Sequence, residues 1–322
     1  MSIMKSDKDK LKHNKKILIF GAGAVGGYYG GVLVRAGFDV VFVARGENYE
    51  VLKKNGLTLI INGKKEIIPI NVVETRLIAS LQKTFDYILI CVKSKDTKSA
   101  AESIKNIIGP NTTVASFQNG VENEEIIAGV IGKDKIIGAL VFIATQMTEP
   151  GVVFYVGDNR AVIGELDGKI TKRVTDLQKI LELTGTQCTI SNDIFSDMWN
   201  KLIWNTAFNP LSVLTGKASD EIVKDKKLWM LVKNIMTEVK DVAVSLGFKI
   251  MPDFIDYYYE RSVNLKGFQI SMLQDFEAGK PIEIEELVGV VIRKAREKNV
   301  SVPNVEKIYN DLKYKLTVSL SL

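Results

Sequence analysis

The chain of 322 residues contains one histidine, two cysteines and seven prolines. The histidine is His13, inside the charged opening stretch MSIMKSDKDKLKHNKK, ahead of the first apolar run. That position takes imidazole out of any active site. Ser-His-Asp hydrolysis, His-ligated metal chemistry and the His acid/base of lactate-type dehydrogenases are excluded with it. Cys91 and Cys188 are too few for a disulfide framework and lack metal-ligand spacing. Each lies in an apolar run, as expected of a buried reduced thiol in a cytoplasmic protein, and no metal is expected. A membrane-spanning run is also missing. The nearest imitation, residues 17–34, is too rich in glycine and is followed at once by Arg35. The net charge of +5 comes from scattered lysines, with no basic stripe interleaved with aromatics, so a nucleic-acid partner is not expected.

What is present is an ordinary globular composition, 46% hydrophobic and 25% charged. At roughly 150 residues per domain, the length predicts two domains. Residues 1–15 are polar enough to predict a disordered leader. KILIF (16–20) reads as a buried strand, followed by a glycine turn and helix over 21–36 and a second strand over 39–44. A helix over 47–56 precedes a hairpin over 57–70 that turns at Asn62-Gly63. Strands over 86–92, 113–117 and 135–143 alternate with helices over 96–108 and 122–130. Strands over 152–156 and 160–166, a helix over 169–183 and a strand over 187–191 complete this half. Alternating strand and helix predicts an α/β fold with a doubly wound, Rossmann-type parallel sheet. From residue 193 only helical periodicity remains, over 193–209, 220–247, 254–278, 283–299 and 303–316. The expected organisation is a Rossmann-type domain over 16–191 and an all-helical domain over 192–322. The apolar content of the second domain allows a homodimer.

Gly21-Ala22-Gly23-Ala24-Val25-Gly26 fits G-x-G-x-x-G, placed after a strand and at the start of a helix. The first glycine permits the turn, the second admits a pyrophosphate to the backbone, and the third lets helix and strand pack closely. The second strand ends in Ala44-Arg45-Gly46, where NAD enzymes place an acidic residue for the ribose hydroxyl. A guanidinium suits a 2′-phosphate instead, so the expected cofactor is NADP(H). Lys93 and Asn119 follow the ends of the strands over 86–92 and 113–117, at the height of the ligand crevice.

Past the expected boundary, Lys201, Asn205 and Asn209 recur at i, i+4 and i+8 on a helix whose other positions include Trp199, Leu202, Ile203, Trp204 and Phe208. A surface helix carries a wide polar face. A narrow polar line on an apolar body should border a polar cleft. Asn209 precedes Pro210, which predicts that the helix ends there. With histidine unavailable, Lys201 is the natural acid for a carbonyl reduction. Farther on, SMLQDFEAGKPIEIE (271–285) breaks at Gly279-Lys280-Pro281 and places Glu283 near the next helix start, where an acidic residue ordinarily serves the helix dipole.

Together these segments resemble the ketopantoate reductase (2-dehydropantoate 2-reductase) family. The resemblance is carried by GAGAVGG, Ala44-Arg45-Gly46, Val92-Lys93, Gln118-Asn119-Gly120-Val121-Glu122, Trp199-Asn200-Lys201-Leu202 with Asn205 and Asn209-Pro210, residues 271–289, and Val302-Pro303-Asn304. It implies NADPH-dependent reduction of 2-dehydropantoate to (R)-pantoate, on the way to pantothenate and coenzyme A. It also implies Lys201 as general acid and Glu283 as a carboxylate at the reacting centre and cofactor. Asn119 would contact both cofactor and substrate, and Asn205, Asn209 and Ser271 would bind a small 2-oxo acid. Gly21, Ala22, Gly23, Ala24, Val25, Gly26, Arg45 and Lys93 would hold the cofactor. The chain departs from the family where it carries Asp96, at a position where Gln is frequent. Two other readings stay open: a reductase of another small 2-oxo acid, and a non-catalytic NADP(H) sensor, against which the presence of Lys201, Asn205 and Glu283 counts.

Overall fold

The computed structural model describes residues 15–267 and 269–319. His13 and, apart from Lys15, the leader expected over 1–15 lie outside the described residues. The chain divides into two compact units, one ending at Ile194 and the other beginning at Phe195.

In the first unit, β1 (Lys16–Phe20) runs through the glycine turn into α1 (Ala24–Arg35). Then come β2 (Asp39–Ala44), α2 (Gly46–Asn55), β3 (Leu57–Ile61), β4 (Lys64–Ile68) and β5 (Asn71–Glu74). They are followed by β6 (Tyr87–Ile90), α3 (Thr97–Ile104), β7 (Thr113–Ser116) and α4 (Asn123–Ile131). The unit closes with β8 (Ile136–Glu149), β9 (Val152–Gly164), α5 (Lys172–Glu182) and β10 (Gln187–Ile190). The strand order is β4-β3-β9-β8-β7-β6-β1-β2-β5, with β10 beside β9.

The central strands are apolar throughout because both their faces are covered. Successive side chains point to opposite faces of a strand. Ile17 and Ile19 of β1 therefore join one core, with Phe42 of β2 and Leu89 of β6, under α1 and α5. Leu18 and Phe20 join the other, with Val41, Val43, Ile88 and Ile90, under α3 and α4. This is the doubly wound arrangement the sequence pattern predicts. The hairpin of β3 and β4 also forms, with both turn residues at positive φ (Asn62 51°, Gly63 75°).

The sheet is mixed rather than wholly parallel. β8 and β9 pair antiparallel, joined by Pro150-Gly151. So short a link returns the chain antiparallel, since a parallel neighbour needs a crossover. β9 also runs unbroken where two strands were expected, with register shifts against β8 between Ile143 and Thr145. β5, which the sequence pattern did not indicate, pairs parallel with β2.

The second unit is helical: α6 (Ile194–Thr215, starting on the last residue of the first unit), α7 (Ser219–Lys224), α8 (Lys226–Ser245), α9 (Phe254–Asn264) and α10 (Ser271–Glu277). A π-helical turn over Glu285–Gly289 leads into α11 (Val290–Lys298), and α12 (Pro303–Ser319) follows. Three expectations are corrected here. The helix expected over 220–247 breaks at Asp225, whose carboxylate accepts the N–H groups of Lys227 (3.0 Å) and Leu228 (3.2 Å) and caps α8. The helix expected over 254–278 breaks after Asn264, where Gly267 takes φ 64° and donates its N–H to Asp220 (3.1 Å). The helix does not end at Asn209 but continues through Pro210 to Thr215. Pro210 has no N–H for the carbonyl of Thr206. The buried Leu211 and Val213 hold the next turn in the core, and Ser212 donates its hydroxyl to the Asn209 carbonyl (2.7 Å). Among the described residues no helix is long and apolar enough to cross a membrane.

One carboxyl is stranded in the first unit. Glu124, in the first turn of α4, is 1% exposed and its Oε2 has no hydrogen-bond partner. Burial pushes its carboxyl up to about 8, against the pull of the backbone amides of Glu124 and Ala139 and with the help of the Glu125 charge. A folded-state pKa above the unfolded value means that folding takes up a proton, so stability falls as pH rises from about 4.5 towards 8. Glu124→Gln should therefore be more stable than wild type by about 1–3 kcal/mol at the alkaline end of that window, and no different at its acid end. Urea denaturation across the window would check this; parallel pH slopes for the two proteins would contradict it.

Candidate functional site

The residues expected around a dinucleotide fall on four neighbouring strand ends. The glycine turn follows β1, Arg45 follows β2, and Lys93 and Asn119 lie three residues past the ends of β6 and β7. In the order β7-β6-β1-β2 these strands are adjacent and parallel, so their carboxyl ends share one edge.

The turn is tied to the sheet by its backbone. The N–H groups of Gly21 and Ala22 both donate to the carbonyl of Val43, each at 3.1 Å. Gly21 sits at φ 104°, where a side chain is strained. A Cβ on Gly26 would collide with the carbonyl oxygen of Gly21, so only glycine lets α1 begin this close to β1. A Cβ on Gly23 would meet nothing within 4 Å. The backbone is open there, and the first turn of α1 carries neither a side-chain cap nor an acidic residue. Uncapped amides at a helix N-terminus beside open space suit a pyrophosphate.

Asn48, in α2, was not singled out by the sequence. Its amide donates to the Ala22 carbonyl (2.9 Å) and its Oδ1 accepts from Gly151 N–H (2.8 Å), clamping the glycine turn to the turn between β8 and β9. A second set of polar groups holds Asn119. Its carbonyl accepts from Ser94 Oγ (2.6 Å) and Asn123 Nδ2 (2.8 Å). Gln118 donates to the Val92 carbonyl (3.0 Å) and the Thr97 hydroxyl (2.8 Å). That hydroxyl lies 2.7 Å from the Ser94 carbonyl and 2.8 Å from Asn123 Oδ1. The web is buried and fastens the loop after β6 to the loop after β7. Arg45 Nη2 lies 2.9 Å from Asp96 Oδ2. Burial pushes the thiols of Cys91 and Cys188 up, and both are free.

In the second unit, α6 carries Lys201, Asn205 and Asn209 on one stripe. Lys201 is half-buried, Asn205 is 6% exposed and Asn209 is 2% exposed. Most other polar groups on the helix have partners. Asn200 donates to the carbonyls of Ser196 (2.7 Å) and Lys249 (3.0 Å) and accepts from Met251 N–H (3.0 Å). Trp204 donates to Ser262 Oγ (3.0 Å). Thr206 donates to the Leu287 carbonyl (2.7 Å) and so ties α6 to the π-helical turn. Asn209 Oδ1 is fully buried without a hydrogen-bond partner. Glu283 is buried just ahead of that turn, and its carbonyl accepts from Leu287 N–H (3.2 Å). Burial raises the Glu286 carboxyl, helped by the charges of Glu283 and Glu285. Ser271 opens α10 and is exposed. A cavity of about 310 Å³ lined by Glu285, Arg293, Arg296, Glu306 and Tyr309 includes none of the expected site residues.

Comparison with known proteins covers both units. The family model described as "Ketopantoate reductase PanE/ApbA" matches residues 17–168, and its C-terminal companion matches residues 193–315. The 2-dehydropantoate 2-reductase of Mesorhizobium japonicum is 32% identical over 314 residues, 91% of this chain and 95% of that protein. The 2-dehydropantoate 2-reductase of Nostoc sp. is 29% identical, over 94% and 95% of the two chains. The crystal structure of a PanE/ApbA family ketopantoate reductase from Ralstonia eutropha superposes with a TM-score of 0.84, at 31% identity, over 93% of this chain and 97% of that one.

The web around Asn119 depends on one hydroxyl. Thr97→Val keeps the shape and removes the group that meets Gln118, Asn123 and the Ser94 carbonyl. Buried amides left without partners cost on the order of 1–3 kcal/mol. The urea midpoint of Thr97→Val should drop accordingly, and an unchanged midpoint would show that the web contributes nothing.

Proposed function

The chain belongs to the ketopantoate reductase family, and from that premise we propose that it reduces 2-dehydropantoate to (R)-pantoate with NADPH, a step towards pantothenate and coenzyme A. The observation that carries the reading is the polar stripe on α6. A lysine and two buried asparagines share one line of an apolar helix, and the amide oxygen of Asn209 is buried without a partner. Buried polar atoms are nearly always satisfied, and an orphaned one in line with a lysine and a second buried asparagine is placed to take its partner from a ligand.

Bound NADPH supplies a hydride to the C2 ketone. The side chains of this chain do the rest. The Lys201 ammonium polarises the ketone oxygen, stabilises the alkoxide as it develops and gives it the proton that completes the alcohol. Glu283 holds the geometry of the reacting centre, on the cofactor side as well as the substrate side. Asn205, Asn209 and Ser271 hydrogen-bond the substrate, and Asn119 serves both ligands. The backbone of Gly21, Ala22, Gly23, Ala24, Val25 and Gly26 cradles the pyrophosphate at the start of α1. Lys93 adds a cation, and Arg45 takes the 2′-phosphate that distinguishes NADPH from NADH. Two free thiols are in keeping with a cytoplasmic enzyme.

NADPH oxidation in the presence of 2-dehydropantoate should exceed that with any other small 2-oxo acid in a panel, and a faster alternative would move the substrate assignment. In Lys201→Ala, kcat should fall about 10²- to 10⁴-fold while the NADPH dissociation constant stays nearly unchanged. Near-normal turnover would remove Lys201 from its role. Tight NADPH binding without turnover on any 2-oxo acid would make the chain a sensor.

A further inference from the structure

Arg45 follows β2 and Asp96 lies beyond β6, and β1 stands between those two strands. The bond from Arg45 Nη2 to Asp96 Oδ2, 2.9 Å, therefore joins the loops on either side of the glycine turn. The two partners are held differently. Asp96 donates its backbone N–H to the Lys93 carbonyl (2.8 Å), accepts Ser99 Oγ at its own carbonyl (2.9 Å) and directly precedes α3. Its side chain is 25% exposed, against 75% for Arg45. Asp96 is thus the member with the anchored main chain and the less exposed side chain, and the guanidinium comes to it.

We propose that Asp96 is a specificity-determining residue for the cofactor, one that narrows the preference for NADPH over NADH. The proposal rests on the assignment of Arg45 to the 2′-phosphate. A guanidinium alone at the end of the second strand attracts a phosphate strongly and a hydroxyl weakly. With a carboxylate fixed beside it, the phosphate gains a cation and meets an anion at once. An exposed ion pair is weak, so the guanidinium yields to the phosphate, but the carboxylate stays and repels it. A 2′-hydroxyl feels no such penalty. It can donate to the carboxylate, the contact that acidic residues make in NAD-binding proteins. Arg45 and Asp96 together thus offer each dinucleotide one suitable partner.

The test is equilibrium binding of NADPH and NADH to the full chain, followed by nicotinamide fluorescence, for wild type, Asp96→Asn, Asp96→Gln and Arg45→Ala. Asp96→Asn should bind NADPH about tenfold more tightly, the equivalent of about 1.4 kcal/mol, with NADH unchanged or weakened. Asp96→Gln, also neutral, should repeat the effect. Unchanged NADPH affinity in both Asp96 variants, or an equal change for both dinucleotides, would overturn the proposal. Arg45→Ala tells this failure from that of the underlying reading. If it loses NADPH affinity while the Asp96 variants change nothing, only the role of Asp96 falls. If Arg45→Ala leaves NADPH affinity intact, or wild type binds neither dinucleotide, the cofactor assignment falls and this proposal with it.

Discussion

One carbonyl oxygen, that of Val43, receives the N–H groups of both Gly21 and Ala22. That shared bond pins the exit of β1 to the end of β2, and only a residue tolerant of φ 104° can make the bend. Much of the cofactor side follows from it. α1 must start over β1, so Gly26 has to be bare. Arg45 lies two residues past Val43 in the chain, and its backbone is placed by the same strand end. The Ala22 carbonyl is then left for Asn48 to hold. The proposed pyrophosphate cradle is therefore an extension of the sheet, made of main-chain groups whose positions the strands dictate.

In the second unit the governing constraint is the cost of hiding polar atoms. α6 buries hydroxyls, an indole N–H and carboxamides among large apolar side chains, and each buried group without a partner would cost the fold a hydrogen bond. Asn200, Trp204 and Thr206 answer that cost with named partners in α9, the π-helical turn and the segment around Lys249. The helix even runs through Pro210, because the apolar positions beyond it outweigh one missing N–H. A helix so carefully satisfied makes the open amide oxygen of Asn209 informative.

How far the sequence could be read follows from which forces leave a local pattern. Two-sided burial writes a continuous apolar run, so β1, β2 and β6 were plain, and Asn62-Gly63 announced its hairpin through positive φ. β5 was not, since a four-residue, half-buried edge strand has no run to show. The break at Asp225 hid inside helical periodicity because an aspartate reads equally as a surface charge and as a cap. On α6 the polar stripe stood out against apolar neighbours. Ser94, Thr97, Gln118 and Asn123 did not, because small polar residues near turns look like turn formers until the fold brings two loops together. Glu283 was legible only through family resemblance; its own surroundings suggested a helix start.

The π-helical turn over Glu285–Gly289 carries a consequence of phase. A π turn holds one residue more than an α turn. One residue is worth about 100° of rotation around a helix axis. The buried face of α11, with Val290, Val291, Ile292 and Ala295, is therefore out of step with the chain before the turn by about that angle, compared with an uninterrupted helix. Losing a single residue there would let the helix heal to regular winding while α11 stayed seated, and residue 283 would be carried around to an adjacent side. The bearing of that carboxylate is thus encoded in chain length, by a count of residues rather than by the identity of any one of them.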